Sequence, residues 1–239
     1  MTVLPRDYDS DPERFLSGTR LPHDDVHPYV AGRFAAAGAR LVLDVGGGDG
    51  RLARLLPGMG LRCVLVDLSP TMLALAPRPA VRADGARLPV ADGSVDAVAA
   101  LYTLYHYDDP RQPIREARRV LRPGGLFAAC APARASTPEL AHVLPNYGAG
   151  STFDAEDAAA IVASVFGEPG DRVETDPWDG PLRTLSTPDE AVGFLRCHGM
   201  TEAQARRTAA TLTLPLPLTM RGCTVYATTA GDVVRRRLR

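Results

Sequence analysis

The stretch Leu41-Val42-Leu43-Asp44-Val45-Gly46-Gly47-Gly48-Asp49-Gly50 sets a five-residue apolar run against a glycine-rich loop. Leucines at helical spacing resume from Arg51 to Leu56, so the segment reads as strand, loop, helix. Glycines in such a loop let the backbone approach a ligand closely. The N-terminus of the following helix offers free amides and the positive end of a dipole. The dinucleotide fingerprint G-x-G-x-x-G fits poorly, because Arg51 stands where its third glycine or alanine belongs.

Working outward, the same alternation repeats. Leu61 to Val66 is a second buried-strand run stopped by Asp67, and Ser69-Pro70 is a helix-start signal before Thr71 to Ala76. Ala80 to Ala83 and Ser94 to Leu101 read as strands. Arg111 to Leu121 reads as a helix with Ile114, Ala117, Val120 and Leu121 on one face, and Arg122-Pro123-Gly124-Gly125 is a turn before the run Leu126 to Ala131. Continuous apolar strands alternating with short helices indicate a parallel sheet covered on both faces, a doubly wound α/β domain. Upstream, Tyr29 to Ala37 reads as a short amphipathic helix.

Beyond residue 132 the pattern loosens. Ala155 to Phe166 is expected to be a helix with Asp154 as N-cap, Arg172 to Thr175 a strand, and Pro188 to His198 and Glu202 to Leu212 two more helices. Cys223 to Thr229 reads as a closing strand. Two helices between the last two strands exceed what a crossover requires, so part of this segment is expected to cap a site. The expected organisation is one domain over residues 1–239: a lid at 1–40, a core at 41–132, substrate-side and cap segments at 133–222, and a closing strand at 223–230.

Composition narrows the classes. With 45% hydrophobic and 23% charged residues in 239, the chain is an ordinary globular one, long enough to bury about 70% or more of its unfolded surface. No run approaches 18 apolar residues, and the opening MTVLPRDYDSDPERF is acidic where a signal peptide is basic, so a cytoplasmic location is expected and no membrane association. Net charge −1 provides no field for a nucleic acid backbone, and the basic tail Arg235-Arg236-Arg237 with Arg239 reads as a solvated end. All 27 basic residues are arginine, which removes Schiff-base chemistry and the P-loop lysine. The cysteines Cys63, Cys130, Cys197 and Cys223 form no CxxC pair, against zinc-ribbon or disulfide frameworks.

Asp67 lies at the carboxyl end of the second strand, where a carboxylate can accept both ribose hydroxyls of a nucleoside. With the glycine loop it completes a series that resembles class I S-adenosylmethionine-dependent methyltransferases. The series runs through Asp44-x-Gly46-x-Gly48-x-Gly50, Val66-Asp67-Leu68-Ser69-Pro70, Asp84-Gly85 with Leu88-Pro89, Ser94-Val95-Asp96-Ala97-Val98, Leu104-Tyr105-His106-Tyr107-Asp108-Asp109-Pro110 and Glu116-x-x-Arg119-Val120-Leu121-Arg122-Pro123-Gly124-Gly125. It covers about residues 40–132 and is most similar to the small ubiquinone/menaquinone-biosynthesis-type branch.

The resemblance implies a seven-stranded sheet with its last strand antiparallel, and S-adenosyl-L-methionine as cofactor. It implies that Asp44 anchors the methionine end through its amino group or the loop, with Gly46, Gly47 and Gly48 behind the cofactor. Asp67 would hold the ribose hydroxyls and Leu68 the adenine face. Asp84, helped by Gly85, would accept the adenine amino group, and Leu101 would contribute backbone near the sulfonium. Asp96 and Arg119 also belong to the resembling series but are read as salt-bridge residues.

Tyr102, Tyr105, His106 and Tyr107 follow the fourth strand at the open edge of the sheet. His106 is the candidate general base, Tyr102, Tyr105 and Tyr8 are candidate substrate contacts, and His142, Tyr147 and His198 are alternatives on the cap. Tyr8, Arg14, His23 and Tyr29 are candidates to fold over the cofactor. The Asp/Asn-Pro-Pro-Tyr/Phe motif, a Pro-Cys pair and a carboxylate cluster after the fourth strand are absent, so adenine or glutamine N-methylation, cytosine attack and divalent-metal catalysis are not expected. The reading is methyl transfer to an O, N or C atom of a small molecule, in secondary metabolism. RNA or protein acceptors, an NAD-dependent oxidoreductase and a non-catalytic cofactor binder stand as alternatives.

Overall fold

Short apolar runs that cannot bury both faces alone are brought side by side in the computed structural model, which describes residues 8–19 and 26–231. The strands are β1 (Leu41–Val45), β2 (Arg62–Asp67), β3 (Ala80–Arg82), β4 (Val95–Leu101), β5 (Leu121–Pro132), β6 (Arg172–Leu185) and β7 (Leu216–Thr228). The helices are α1 (Pro12–Thr19), α2 (His27–Ala36), α3 (Arg51–Leu55), α4 (Pro70–Leu75), α5 (Arg111–Val120), α6 (Ala155–Ala163), α7 (Pro188–Cys197) and α8 (Glu202–Ala209). The seven strands form one sheet in the order β3-β2-β1-β4-β5-β7-β6. β1 to β5 pair in parallel, and β7 runs antiparallel to both β5 and β6. The strand order reverses direction at β1 and β4, and the carboxyl ends of these strands open a crevice there.

Alternation along β4 shows how both faces are covered. Val98 and Ala100 pack with Ile114 and Val120 of α5, Phe127 of β5 and Val162 of α6 on one side. Ala97, Ala99 and Leu101 pack with Val30 and Phe34 of α2 and Leu52 of α3 on the other. Of the first 40 residues, α2 thus belongs to the layer over the sheet, whereas residues 8–19 reach the crevice. Tyr29 is 74% exposed on α2 and does not line the crevice; His23 and the basic tail lie outside the described residues.

Capping follows the sequence closely. Ser69 accepts the Met72 N–H (3.1 Å) ahead of Pro70, and Thr187 with Glu190 and Thr201 with Gln204 form capping boxes for α7 and α8. Asp154 precedes α6 but turns away from it, accepting from Ser151 and from Arg134 Nε instead. Arg119 donates to Glu116, Asp92 and the carbonyls of Leu88 and Val90, and Asp96 accepts the Arg40 and Leu41 N–H groups, so both are structural.

Two departures have local causes. Arg122 to Gly125 is folded as a bulge inside β5, since Val95 pairs with Leu121 and Ala97 already with Leu126; Gly124 takes φ +75° there. β6 continues past Thr175 to Leu185 and β7 begins at Leu216, before Cys223, because the two strands keep pairing beyond the sheet as a ribbon. The ribbon and the helices α7 and α8 enclose a second core of Leu182, Leu185, Phe194, Leu195, Met200 and Leu218. No helix among the described residues is long and apolar enough to cross a membrane.

Phe127 is fully buried and stacks on Phe166, ring centroids 5.5 Å apart. Phe127→Ala should lower the unfolding free energy by about 3–5 kcal/mol in a denaturant titration. Arg33→Ala removes an exposed ion pair with Glu174 and should cost about 1 kcal/mol or less.

Candidate functional site

The crevice at the carboxyl ends of β1, β2 and β4 is a cavity of about 1040 Å³. Its floor is the glycine loop, one side the loops after β2 and β3, the other the segment after β4, and its far wall the cap.

The loop after β1 is shaped by contacts that exclude side chains. Gly46 (φ +64°) has its hydrogen aimed at Thr103, so a methyl group there would land on the Thr103 hydroxyl. Gly48 (φ +57°) faces open space and lines the cavity. Asp44 is 2% exposed and sits beneath Gly47, outside the cavity wall. It therefore reaches the site through the loop. Its Oδ2 is buried with no hydrogen-bond partner among the described residues, and burial, with Asp67 nearby, pushes its carboxyl up to about 7.

Asp67 joins two loops. Gly48 N–H donates to its Oδ2 (2.9 Å) and Ser69 N–H to its Oδ1 (2.8 Å). Burial raises its pKa, these N–H bonds oppose that, and Asp9 raises it further. Ser69 Oγ donates to Asp9 (2.5 Å), which ties residues 8–19 to the start of α4. Leu68 is 55% exposed on the cavity rim. Asp84 accepts the Ala86 N–H (2.9 Å) and lies 3.7 Å from Arg87. A side chain on Gly85 would strike the Tyr107 hydroxyl and Val45.

After β4 the chain turns sharply. Leu101 lines the cavity and Tyr102 takes φ +55°, a left-handed conformation that is costly for a tyrosine and places its ring against His27 (6.2 Å) in the cavity wall. His106 Nε2 and Tyr8 Oη are 2.6 Å apart, and the Tyr105 ring lies 4.6 Å from the imidazole. Burial and Asp67 hold the Tyr8 hydroxyl well above the usual phenol range, and burial does the same for Tyr105. Both remain protonated phenols.

The cap wall carries residues that the sequence reading ranked low or missed. His198 Nδ1 lies 2.9 Å from the Phe194 carbonyl, which can only accept, so Nδ1 bears the proton and Nε2 the lone pair. Burial lowers the His198 pKa. The Phe194 and His198 rings lie 4.3 Å apart, tilted by 31°, and the Arg183 guanidinium lies 5.7 Å from the Phe194 ring. Tyr147 lines the cavity and His142 does not. Thr103, Arg183 and Phe194 had no signal in the sequence, because only the ribbon and the turn after β4 bring them inward. Among the described residues no group of three or more His, Cys, Asp or Glu is gathered as a metal site.

Because Asp44 is held above its ordinary pKa, it contributes stability in acid and loses it as pH rises towards about 7. Asp44→Asn should remove that dependence. Thermal denaturation from pH 4 to 8 should show wild type losing a few kcal/mol relative to the variant, all of it below about pH 8.

Residues 43–129 match the family model described as "Methyltransferase domain". An uncharacterized methyltransferase of Mycobacterium sp. (strain KMS) is 39% identical over 127 residues, covering 49% of each chain. A ubiquinone biosynthesis O-methyltransferase of Xanthomonas oryzae pv. oryzae is 36% identical over 122 residues, covering 45% of this chain and 51% of its own. The chain thus matches about half the length of these relatives. A putative methyltransferase from an antibiotic biosynthesis pathway of Anabaena variabilis shares the fold, with TM-score 0.65, 16% identity and coverage of 89% and 99%. Residues 43–129 thus match a methyltransferase domain, and the sheet order and glycine loop described above are similar to those of class I S-adenosylmethionine-dependent methyltransferases.

Proposed function

We propose that this protein transfers a methyl group from S-adenosylmethionine to an O, N or C atom of a small molecule in the cytoplasm. The observation that carries the reading is the single cavity of about 1040 Å³ running from the glycine loop and Asp67 to the cap. One drug-sized ligand takes roughly 300–1,000 Å³, so this space suits a cofactor together with a small acceptor. A protein or nucleic acid acceptor would need an open surface instead. The setting we propose is secondary metabolism, as in the antibiotic biosynthesis pathway named for the solved structure that shares the fold.

The residues fit the cofactor. Asp67 is a half-buried carboxylate whose raised pKa would be relieved by donors such as ribose hydroxyls, and its two N–H partners hold both oxygens at the cavity wall. Gly48 leaves room at the floor, Gly46 and Gly47 let the loop pack on Thr103 and Asp44 behind it, and Leu101 would lie near the sulfonium. Asp84 with Gly85 would receive the adenine amino group, and Leu68 would cover the ring. When bound, the cofactor supplies an electrophilic methyl group on a sulfonium.

The chain's own part is orientation and, for a hydroxyl acceptor, proton removal. Holding acceptor and methyl in line in a dry site contributes roughly 7–11 kcal/mol. Tyr8, protonated and 2.6 Å from His106 Nε2, donates to that nitrogen, so its oxygen is free to accept from the acceptor. The acceptor's proton would pass to Tyr8 Oη as the Tyr8 proton passes to His106 Nε2, leaving an imidazolium that later releases it to solvent. Tyr102 and Tyr105 would form the walls that hold the acceptor.

Titration calorimetry of the protein with S-adenosylhomocysteine and with NAD tests the cofactor. Only the former should bind, and Asp67→Ala should weaken it by about 1.5–3 kcal/mol. Unchanged affinity would remove the ribose assignment. Activity should survive excess chelator. Tyr8→Phe and His106→Ala should each lower kcat by about 10²–10⁴-fold with cofactor affinity retained. If His106→Gln keeps most of the rate, the pair shapes the pocket and transfers no proton.

A further inference from the structure

We propose that the methyl acceptor carries a neutral hydrogen-bond donor apart from the group that is methylated, and that His198 Nε2 receives it; this rests on the methyl-transfer reading above. His198 is the C-cap of α7 and lines the cavity from the cap side. Its Nδ1 is committed to the Phe194 carbonyl at 2.9 Å, and a carbonyl only accepts, so the other ring nitrogen is an acceptor. Among the described residues nothing hydrogen-bonds to Nε2. The ring lies deep enough for burial to be the main cause of its lowered pKa, yet it is only half-buried and Nε2 is not sealed in the core. The space that reaches it is the cavity.

The environment fixes what such a donor can be. Burial and the charge of Arg183 lower the His198 pKa against the opposing bond to Phe194, so the imidazole accepts a hydrogen bond without taking the proton. A hydroxyl or a neutral N–H satisfies it and brings no charge. An ammonium would place a second cation where Arg183 already disfavours one, and a carboxylate or an ether has no proton to give. The Phe194 ring lies 4.3 Å away, tilted by 31°, and Leu144, Leu182 and Met220 line the same cavity, walls that suit an aromatic or aliphatic body behind the donor. A body that filled this space without a donor would strip water from Nε2 and leave it unpaired. That cost is what lets a polar site reject an analogue lacking one hydroxyl. Two polar groups of the acceptor then have different fates. The one at Tyr8 loses its proton and is methylated, whereas the one at His198 keeps its proton and anchors the molecule.

The cofactor also carries donors, on its ribose and its amino group, so the experiment separates the two sources. Protein saturated with S-adenosylhomocysteine is titrated calorimetrically with hydroquinone, 4-aminophenol and 4-methylphenol, which share one phenol and differ only in the group opposite it. Hydroquinone, 4-aminophenol or both should bind about 2–12-fold more tightly than 4-methylphenol, the net worth of one neutral hydrogen bond, and the tighter of the two tells a hydroxyl from an N–H. His198→Phe should abolish that preference while leaving S-adenosylhomocysteine affinity unchanged, and His198→Gln, which keeps an acceptor oxygen, should restore part of it. A 4-methylphenol that binds as tightly as both donor probes, binding of none at millimolar concentration, or a preference that persists in His198→Phe would overturn the proposal. Loss of S-adenosylhomocysteine affinity in His198→Phe would do so too, by giving His198 to the cofactor. The wild-type comparison of the three probes needs no variant, so it stands even if His198→Phe fails to fold. A wild-type protein that does not bind S-adenosylhomocysteine sinks the methyltransferase reading itself, a result distinct from binding it without a preference among the probes.

Discussion

Two backbone N–H groups, from Gly48 after β1 and Ser69 after β2, converge on the carboxylate of Asp67. Parallel strands deliver their carboxyl ends to the same edge, but the loops that leave those ends have no ladder to hold them. One half-buried acid supplies the missing acceptors for both. Its second-order consequence reaches the N-terminal segment, because Ser69 then turns its hydroxyl to Asp9 while capping α4. The glycine loop, the α4 start and residues 8–19 are therefore positioned around one carboxylate.

That arrangement concentrates negative charge where the fold offers little to neutralise it. Burial and the nearby Asp67 push the Asp44 carboxyl up to about 7, and burial and Asp9 raise that of Asp67. A structure selected for rigidity alone would replace Asp44 with an apolar residue of similar size, since an unpartnered buried oxygen is expensive. Its presence under the loop is the kind of local cost that structures carry at binding sites. The left-handed Tyr102 at the end of β4 is a second such cost, at the same edge and facing the same cavity.

Residues 41–132 were readable because each element carries its own signal, whereas α1 went unread. Leu41–Val45 is bounded by Arg40 and Gly46, Ser69-Pro70 announces α4, and the alternation of Ala97 to Leu101 between the two faces follows from strand period alone. Asp67 and the glycines could be placed because their chemistry is local to a strand end. The ribbon could not. Thr184 and Leu185 sit in a run with Pro177, Gly180 and Pro181, residues that read as loop, and they become a strand only because Leu216 to Arg221 pair with them. Arg183 and Phe194 belong to the site only through that pairing and the packing of α7 upon it, so no sequence window contains the information.

The Tyr8–His106 contact shows the same limit from another side. The two residues are separated by 98 positions, and either alone has an ordinary role, a terminal tyrosine or a turn histidine. Their meeting depends on α1, which packs against α7 through the Arg196 pair with Asp11 (2.8 Å) and the Cys197 thiol on the Arg14 carbonyl. By docking α1 the cap sets the phenol against the imidazole. A displacement of α7 would move that contact and the Phe194 part of the cavity wall together, because Phe194, Arg196 and Cys197 lie on one helix. The cap side of the cavity is therefore organised through α7, while the loops around Asp67 depend on the sheet.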